Sequence, residues 1–435
     1  MNYPSLAAII ALALAATAAP AALTPPEKKM VATVDAGKEQ NIALLERLVN
    51  VNSGSLNIEG VTEVGRMMRA ELEPLGFDVR WAPMAAAGRA GHIIAVHKGD
   101  GRGKRMLLIG HLDTVFEKDS PFQTFVRKGS KAEGPGAGDD KGGMVVMVAA
   151  LRAMQAAGTL KNADIEIVLT GDEEDSGDPI AIARADLIAA GKRADAALDF
   201  EGLIVDNGVD MGSIARRSSS SWTLTVTARG GHSSGIFSDA AGFGAIYEMA
   251  RILDQFRREL REPNLTYNVG IVTGGSRAEL DGGGIRATAA GKSNIIAEKA
   301  IARGDMRTLS DEQTERTRAK MKAIVATPLP GATSSIVFEE GGYPAMAPTE
   351  GNRALLARLN GVNHDLGLAQ MPALDPLKRG AGDIAFVAKD VDGLVGLGTA
   401  SEGDHAPGET VDLDSIQRQA KRAAILMSRL AATPR

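Results

Sequence analysis

The sequence predicts an α/β protein with a mainly parallel sheet, interrupted by an inserted α+β sandwich. Three observations predict it. Up to about residue 218, short apolar runs alternate with segments of helical period, the pattern of strands joined by crossover helices. Between 219 and 341 the order becomes strand, helix, strands, helix, strand. From 342 to 435 the α/β texture returns and closes on a helix at 413–430.

Taken in order, residues 1–22 read as an export signal. An apolar run at 6–18 is followed by small residues around Ala19 and Ala21, then by Thr24-Pro25-Pro26-Glu27. The run is short for a bilayer, so a cleaved signal and a periplasmic or secreted protein are expected. Residues 1–5 carry no Lys or Arg, which leaves a start at Met30 and a cytoplasmic protein as the alternative. The first part of the α/β domain then spans 23–218 and the second part 342–435. Helices are expected at 41–51, with Ile42, Leu45 and Leu48 on one face, and at 61–75, ending at Gly76. Strands are expected at 93–96, 106–109, 165–169 and 196–200, with helices at 142–157 and 180–189 between them. The insert, 219–341, opens on a strand near 218–228 that alternates polar residues with Trp222, Leu224 and Val226. A long helix follows at 241–260, with Ile246, Met249, Leu253, Phe256 and Leu260 at helical spacing and Ser238 or Asp239 as its cap. Strands at 268–272, 292–297, 300–307 and 334–338 and a helix at 311–325 complete it.

Composition narrows the function. At 435 residues the chain exceeds one ordinary core. Its 44% hydrophobic and 24% charged residues are those of a folded soluble protein. A net charge of −5 and 4% aromatics exclude the basic, base-stacking surfaces of nucleic-acid binding. There is no cysteine, so disulfides, thiolate metal sites and a cysteine nucleophile are excluded. Any metal must be held by Asp, Glu and the six histidines.

Five segments carry candidate chemistry. His111-Leu112-Asp113 follows the apolar run 106–109, and on an extended chain residues two apart share a face. A carboxylate that takes one ring N–H frees the other nitrogen for a metal. Alone, such a pair is more often structural. Gly134-Pro135-Gly136-Ala137-Gly138-Asp139-Asp140-Lys141-Gly142-Gly143 brings two acids to the start of an apolar helix. Helix capping accounts for one acid but not for so constrained a loop. Asp172-Glu173-Glu174-Asp175 ends the run 165–169; a solvated acidic turn is the plain alternative, yet adjacent side chains point different ways and suit different tasks. Glu201 ends the run 196–200, with Asp199 a rival on the same face. His405 follows 394–397 in the loop Ser401-Glu402-Gly403-Asp404-His405-Ala406-Pro407. All follow strands, the edge where α/β sheets place their sites.

In this order the segments resemble the M20 family of metallopeptidases, which includes glutamate carboxypeptidase, aminoacylase and succinyl-diaminopimelate desuccinylase. The matches are His111-Leu112-Asp113-Thr114-Val115, Gly136 to Gly143, Asp172-Glu173-Glu174, Phe200-Glu201 and Asp404-His405. The resemblance implies a zinc-peptidase-like catalytic domain with a lid and dimerisation domain, two zinc ions per chain, and a homodimer formed through the lid. Cobalt or manganese also suit the N/O donor set. Asp139 would bridge the ions, His111 and Glu201 completing one shell and Glu174 and His405 the other. Asp113 would orient His111, and Glu173 would be the general base. His232, in Gly230-Gly231-His232-Ser233-Ser234, would stabilise the oxyanion, usually in the partner's site. Asn294 and Arg307 match positions that hold the substrate carboxylate, and Gly380-Ala381-Gly382-Asp383 resembles the family's substrate-side glycine loop. Gly382 stands where Ser or Thr is common, and an ion pair with Asp305 is the plain alternative for Arg307. The Asp139–Asp140 peptide is expected to be cis, with Asp140 holding the loop rather than a metal. His92, His97 and His364 match nothing.

The function expected is cleavage of an amide bond next to a free carboxylate, by carboxypeptidase or N-acyl-amino-acid amidohydrolase. A non-catalytic metal- or peptide-binding relative is disfavoured because Glu173 and Asp113 are both present. Residues 339–344 contain no Arg, which argues against a strict preference for C-terminal glutamate. Glu339 and Glu340 there would favour a neutral or basic side chain.

Overall fold

A computed structural model describes residues 23–435. The expected export signal lies outside these residues. The central sheet has six strands in the order Asp78–Pro83, Gly91–His97, Ile165–Thr170, Met106–His111, Ala196–Asp199, Gly393–Val395. The last four run parallel and the first two are antiparallel additions at one edge.

Both faces of this sheet are covered, which is why its strands read as continuous apolar runs. In Met106–His111 every residue is buried. Met106 and Leu108 face the helix Lys141–Ala157, on which Pro25–Ala36 and Leu413–Ala431 pack in turn, while Leu107 and Ile109 share a core with Leu187, Ile384 and Val387. The second sheet is antiparallel, in the order Thr266–Gly275, Lys299–Arg307, Ser220–Ala228, Ala332–Phe338. Trp222, Leu224 and Val226 turn one face toward the helices Ala245–Glu259 and Asp311–Val325. A third, small sheet pairs Lys131–Glu133 with Thr410–Asp412 and so ties the two loops on either side of residues 139 and 405 together.

Several elements differ from the sequence reading. Pro25–Ala36 is a helix, opened by a capping box in which Thr24 and Glu27 exchange hydrogen bonds, with Pro25 in the first turn. Met30 lies buried within it. The predicted helix at 180–189 is two short helices, Ile180–Ala183 and Ala185–Gly191. The long lid helix begins at Ala245, not 241, and its N-cap is Gly244 with no side-chain cap; Ser238 instead accepts from the Ala241 N–H in the preceding turn. Ile246, counted on its buried stripe, is half exposed beside Tyr247. Among the described residues no helix is long and apolar enough to cross a membrane.

Candidate metal centre

Chain topology brings the candidate residues to one edge. His111 is the last residue of Met106–His111, and its neighbour Leu112 donates its N–H to the Thr170 carbonyl of the next parallel strand at 2.7 Å. Glu173 and Glu174 follow that neighbouring strand, and Glu201 follows Ala196–Asp199 on the other side. Asp139 arrives from the opposite direction, at the start of the helix Lys141–Ala157. The glycines of this loop are demanded by close packing. A Cβ on Gly138 would lie 2.2 Å from the Ser401 Cβ, and one on Gly143 would lie 2.0 Å from the Phe200 carbonyl oxygen. The Asp139–Asp140 peptide is cis.

Two groups of donors result, His111–Asp139–Glu201 and Asp139–Glu174–His405, with ligand atoms in each within 4.8 Å of one another. Asp139 belongs to both. Its Oδ1 lies 2.9 Å from His111 Nε2 and its Oδ2 lies 3.0 Å from His405 Nε2, which is also 3.2 Å from Glu174 Oε2. The two imidazoles therefore address different oxygens of one carboxylate, the arrangement a bridging ligand needs. Charge fits as well. Burial would lower His111, but hydrogen bonds to Asp113 and Asp139 hold it well above the ordinary value. Hydrogen bonds to Asp139 and Glu174 push His405 up to about 11. Protons on these rings thus balance carboxylate charge that divalent cations would balance instead, and every candidate donor is N or O.

Asp113 sits fully buried beneath the cluster. It lies 3.4 Å from His111 Nδ1, and its oxygens accept the N–H groups of Glu173 at 3.0 Å and Glu174 at 3.1 Å and the Ser55 hydroxyl at 2.6 Å. It therefore fixes the His111 ring and the acidic loop together. Glu173 is pushed well above its ordinary value by burial, with the Glu201 and Asp383 charges adding. Asp140 accepts the His111 N–H at 3.3 Å and is in neither donor group. Asp199 accepts the Glu201 N–H at 3.1 Å and is likewise outside them.

Asp139, Glu174, Glu201 and His405 open into a cavity of about 470 Å³ that Glu173, Arg307 and Gly380 also line, with His111 buried behind them. Arg307 carries the Asp305 ion pair as well, through Nε at 3.2 Å. Gly382 does not line the cavity; a Cβ there would lie 2.1 Å from Arg216 Nη1, which accounts for glycine at this position. His232 and Asn294 are also absent from the lining. They lie together in the lid, where the adjacent Ser233 donates its N–H to the Asn294 carbonyl at 2.9 Å, and both are exposed. His92 and His97 bond backbone carbonyls at 2.8 and 2.9 Å, and His364 is exposed beside Asp365.

Sequence reasoning missed a basic wall. Arg216 and Arg379 ion-pair with Glu201 at 3.0 and 3.2 Å, and Lys378 lines the same cavity. It also missed Glu409, a buried carboxylate that accepts the N–H groups of Gly136, Gly138 and Asp139 at 3.1, 2.7 and 3.2 Å and so shapes the loop that presents Asp139. Its only signal was an acid four residues after His405. Glu339 and Glu340 do not face the site. They line a separate lid groove of about 840 Å³ that shares Tyr343 with the site cavity, and Glu339 pairs with Arg303 at 2.8 Å, so the side-chain preference read from them has no structural basis.

The profile of peptidase family M20/M25/M40 matches residues 107–429. Carboxypeptidase G2 of Pseudomonas sp. (strain RS-16) is 28% identical over 405 residues, 90% of this chain and 89% of that protein. The succinyl-diaminopimelate desuccinylase of Leptothrix cholodnii is 32% identical over 174 residues, 38% of this chain and 45% of that one. Among solved structures, a tripeptidase from Staphylococcus aureus superposes with a TM-score of 0.72 at 17% identity, over 91% of this chain and 99% of that chain. A dinuclear metal-binding M20 peptidase from Bacillus subtilis superposes with 0.64 at 16% identity, over 92% and 99%.

Proposed function

This chain belongs to peptidase family M20/M25/M40 and is a metal-dependent peptidase or hydrolase, and we propose that it cleaves an amide bond adjacent to a free carboxylate. The observation that carries this reading is the juxtaposition of a shared-Asp donor cluster with a basic wall in one cavity. His111, Asp139 and Glu201 would hold one divalent ion and Asp139, Glu174 and His405 the other, with zinc the best match to the donors. Two such ions supply an acidified water and polarise the scissile carbonyl. Glu173 accepts the proton of the attacking water and returns it to the leaving amine. Arg307 keeps its Nη groups for the substrate carboxylate while Asp305 holds its Nε. Lys378 also lines the cavity, paired with Asp206 at 2.6 Å, and an acidic C-terminal side chain would compete with Asp206 for it without any Arg at 339–344.

Within one chain the cavity lacks His232 and Asn294. The reading therefore includes a homodimer in which the partner's lid supplies them. Exposed Phe237, Ile246 and Tyr247 on the lid give such an interface apolar area. Export is part of the reading too, supported by the apolar run at 6–18, and N-terminal sequencing of the mature protein tests it.

An N-acyl-amino-acid amidohydrolase is the second reading, favoured by the partial likeness to the desuccinylase. A panel of dipeptides and N-acyl amino acids, assayed with zinc-loaded protein, separates the two. Turnover of dipeptides with acidic C-termini is expected. Turnover of N-acyl amino acids alone would select the second reading, and turnover of neither class would overturn both.

A further inference from the structure

A fully buried guanidinium lies outside the donor cluster and has no part in the chemistry above. Arg184 donates from Nη1 to Asp172 Oδ1 at 2.6 Å, from Nε to Asp383 Oδ1 at 2.7 Å, and from Nη2 to the Asp172 carbonyl at 3.0 Å and the Tyr343 hydroxyl at 2.8 Å. Each partner belongs to a different segment. Asp172 precedes the proposed base, Asp383 follows the glycine loop 380–382, and Tyr343 sits just after the last lid strand, Ala332–Phe338. Thr170 holds the other Asp383 oxygen at 2.5 Å, and the Gly177 N–H holds the other Asp172 oxygen at 2.7 Å.

Tyr343 carries the connection onward. With Arg184 and Ser176 placed against its oxygen, the phenol donates its own proton to the Glu173 carbonyl at 2.7 Å. Burial, with the Asp383 and Glu173 charges adding, pushes the phenol well above its ordinary value, so this proton stays in place. The ring packs against Phe386 at 5.0 Å between centroids, and that side chain belongs to the helical turn Asp383–Phe386. Glu173 is thus held from two sides, by Asp113 at its N–H and by Tyr343 at its carbonyl.

We propose that Tyr343, locked by Arg184, is a positioning residue for Glu173, and that through it the exit of the lid is mechanically joined to the general base. This rests on the assignment of Glu173 as the base. A peptide fixed at both ends presents its carboxylate in one direction, and a base misplaced by about an ångström loses turnover rather than binding.

The test is a double-mutant cycle on the metal-loaded full chain. Tyr343→Phe keeps the ring and removes one hydroxyl. It is expected to lower kcat about 10-fold, change KM less than about 2-fold and leave two metal ions per chain. In a Glu173→Gln background the same substitution is expected to change the residual kcat less than about 2-fold. Hydrogen exchange of a peptide covering 171–177 is expected to quicken in Tyr343→Phe, while one covering 401–409 stays as in the parent. An unchanged kcat, or an equal fall in both backgrounds, overturns the positioning role alone. Full activity in Glu173→Gln itself overturns the base assignment and this inference with it.

Discussion

The strand Met106–His111 of the central sheet is buried at every residue, whereas the lid strand Thr266–Gly275 is buried at none. The contrast extends to charge. Around the donor end of the central sheet, Asp113, Asp140, Lys141, Arg184, Arg216 and Glu409 are all buried. Among the described residues between 219 and 341, Glu248 is the one buried charged residue, and His232 and Asn294 lie exposed. Burying a charge is unfavourable unless it is paired, so buried charges mark where the fold enforces a geometry. The α/β layer fixes its functional groups internally. The lid leaves His232 and Asn294 open to solvent.

The largest expected effect comes from emptying the fixed layer. Chelation should abolish activity, and reloading should restore it together with about two ions per chain by elemental analysis. Glu173→Ala should keep the metals and lower kcat by about 10²–10⁴-fold, the range of general-base catalysis. Glu174→Ala should lose metal instead. Exchange of those two outcomes would reverse the roles assigned to the pair.

The next effect tests the lid's outward role. His232→Ala should lower kcat by about 10²–10³-fold, as expected for an oxyanion donor, with little change in KM. If the partner supplies His232, mixing that variant with Glu173→Ala under exchange conditions should restore activity. A heterodimer of the two would hold one site with both residues intact. Failure of mixing to restore activity, in protein shown to exchange subunits, would place His232 outside the shared site.

The same contrast explains what the sequence made legible. His111, Asp139, Glu173, Glu174, Glu201 and His405 stand beside apolar runs or in a glycine-rich loop; each signal is weak by itself, and their order along the chain is what points to them. Arg184, Glu409 and Tyr343 do not. Arg184 meets Asp383 199 positions away, and Glu409 meets Gly138 271 positions away. Nothing in a window of ten residues distinguishes such side chains from exposed ones. The lid misled in another way. Ile246 fits the helical stripe, yet the buried stripe runs through Ala245, Glu248, Met249, Ile252 and Phe256, which leaves Ile246 at its edge and half exposed. Periodicity reports a buried face only where one face alone is covered. Thr24-Pro25-Pro26-Glu27 reads in the sequence only as the stretch that follows an export signal, yet the Thr24–Glu27 box and Pro25 are signals of a helix start.

A stability measurement sharpens the comparison further. Arg184→Met removes one partner and leaves Asp172 and Asp383 buried. Such a loss typically costs about 3–5 kcal/mol, because the remaining charges are uncompensated. A shift in the urea midpoint of that order is expected. A midpoint unchanged from the parent would mean that the two acids are neutral without it.

The smallest effects are expected within a single lid helix, Ala245–Glu259, which carries both kinds of ion pair. Glu248 is buried and accepts from Arg251 at 2.8 and 2.6 Å, from the Leu329 N–H at 3.0 Å and from the Ser334 hydroxyl at 3.0 Å. Burial works to raise its pKa, but these bonds prevail and hold it below 4.5. A depressed carboxylate contributes its full stabilisation above the unfolded value and loses it as pH falls through the lower folded value. Glu248→Ala should therefore destabilise the lid at pH 7, and the difference from the parent should shrink as the pH is taken below about 4. Asp254, six residues further along, pairs with Arg257 at 2.8 Å and with Arg258 at 2.9 Å on an open surface. Pairs of that kind contribute little, and Asp254→Ala should leave Tm within about 1 °C of the parent. Both outcomes can be read from thermal melts of the same chain at two pH values. Equal shifts for Glu248→Ala and Asp254→Ala would show that burial does not separate the two pairs.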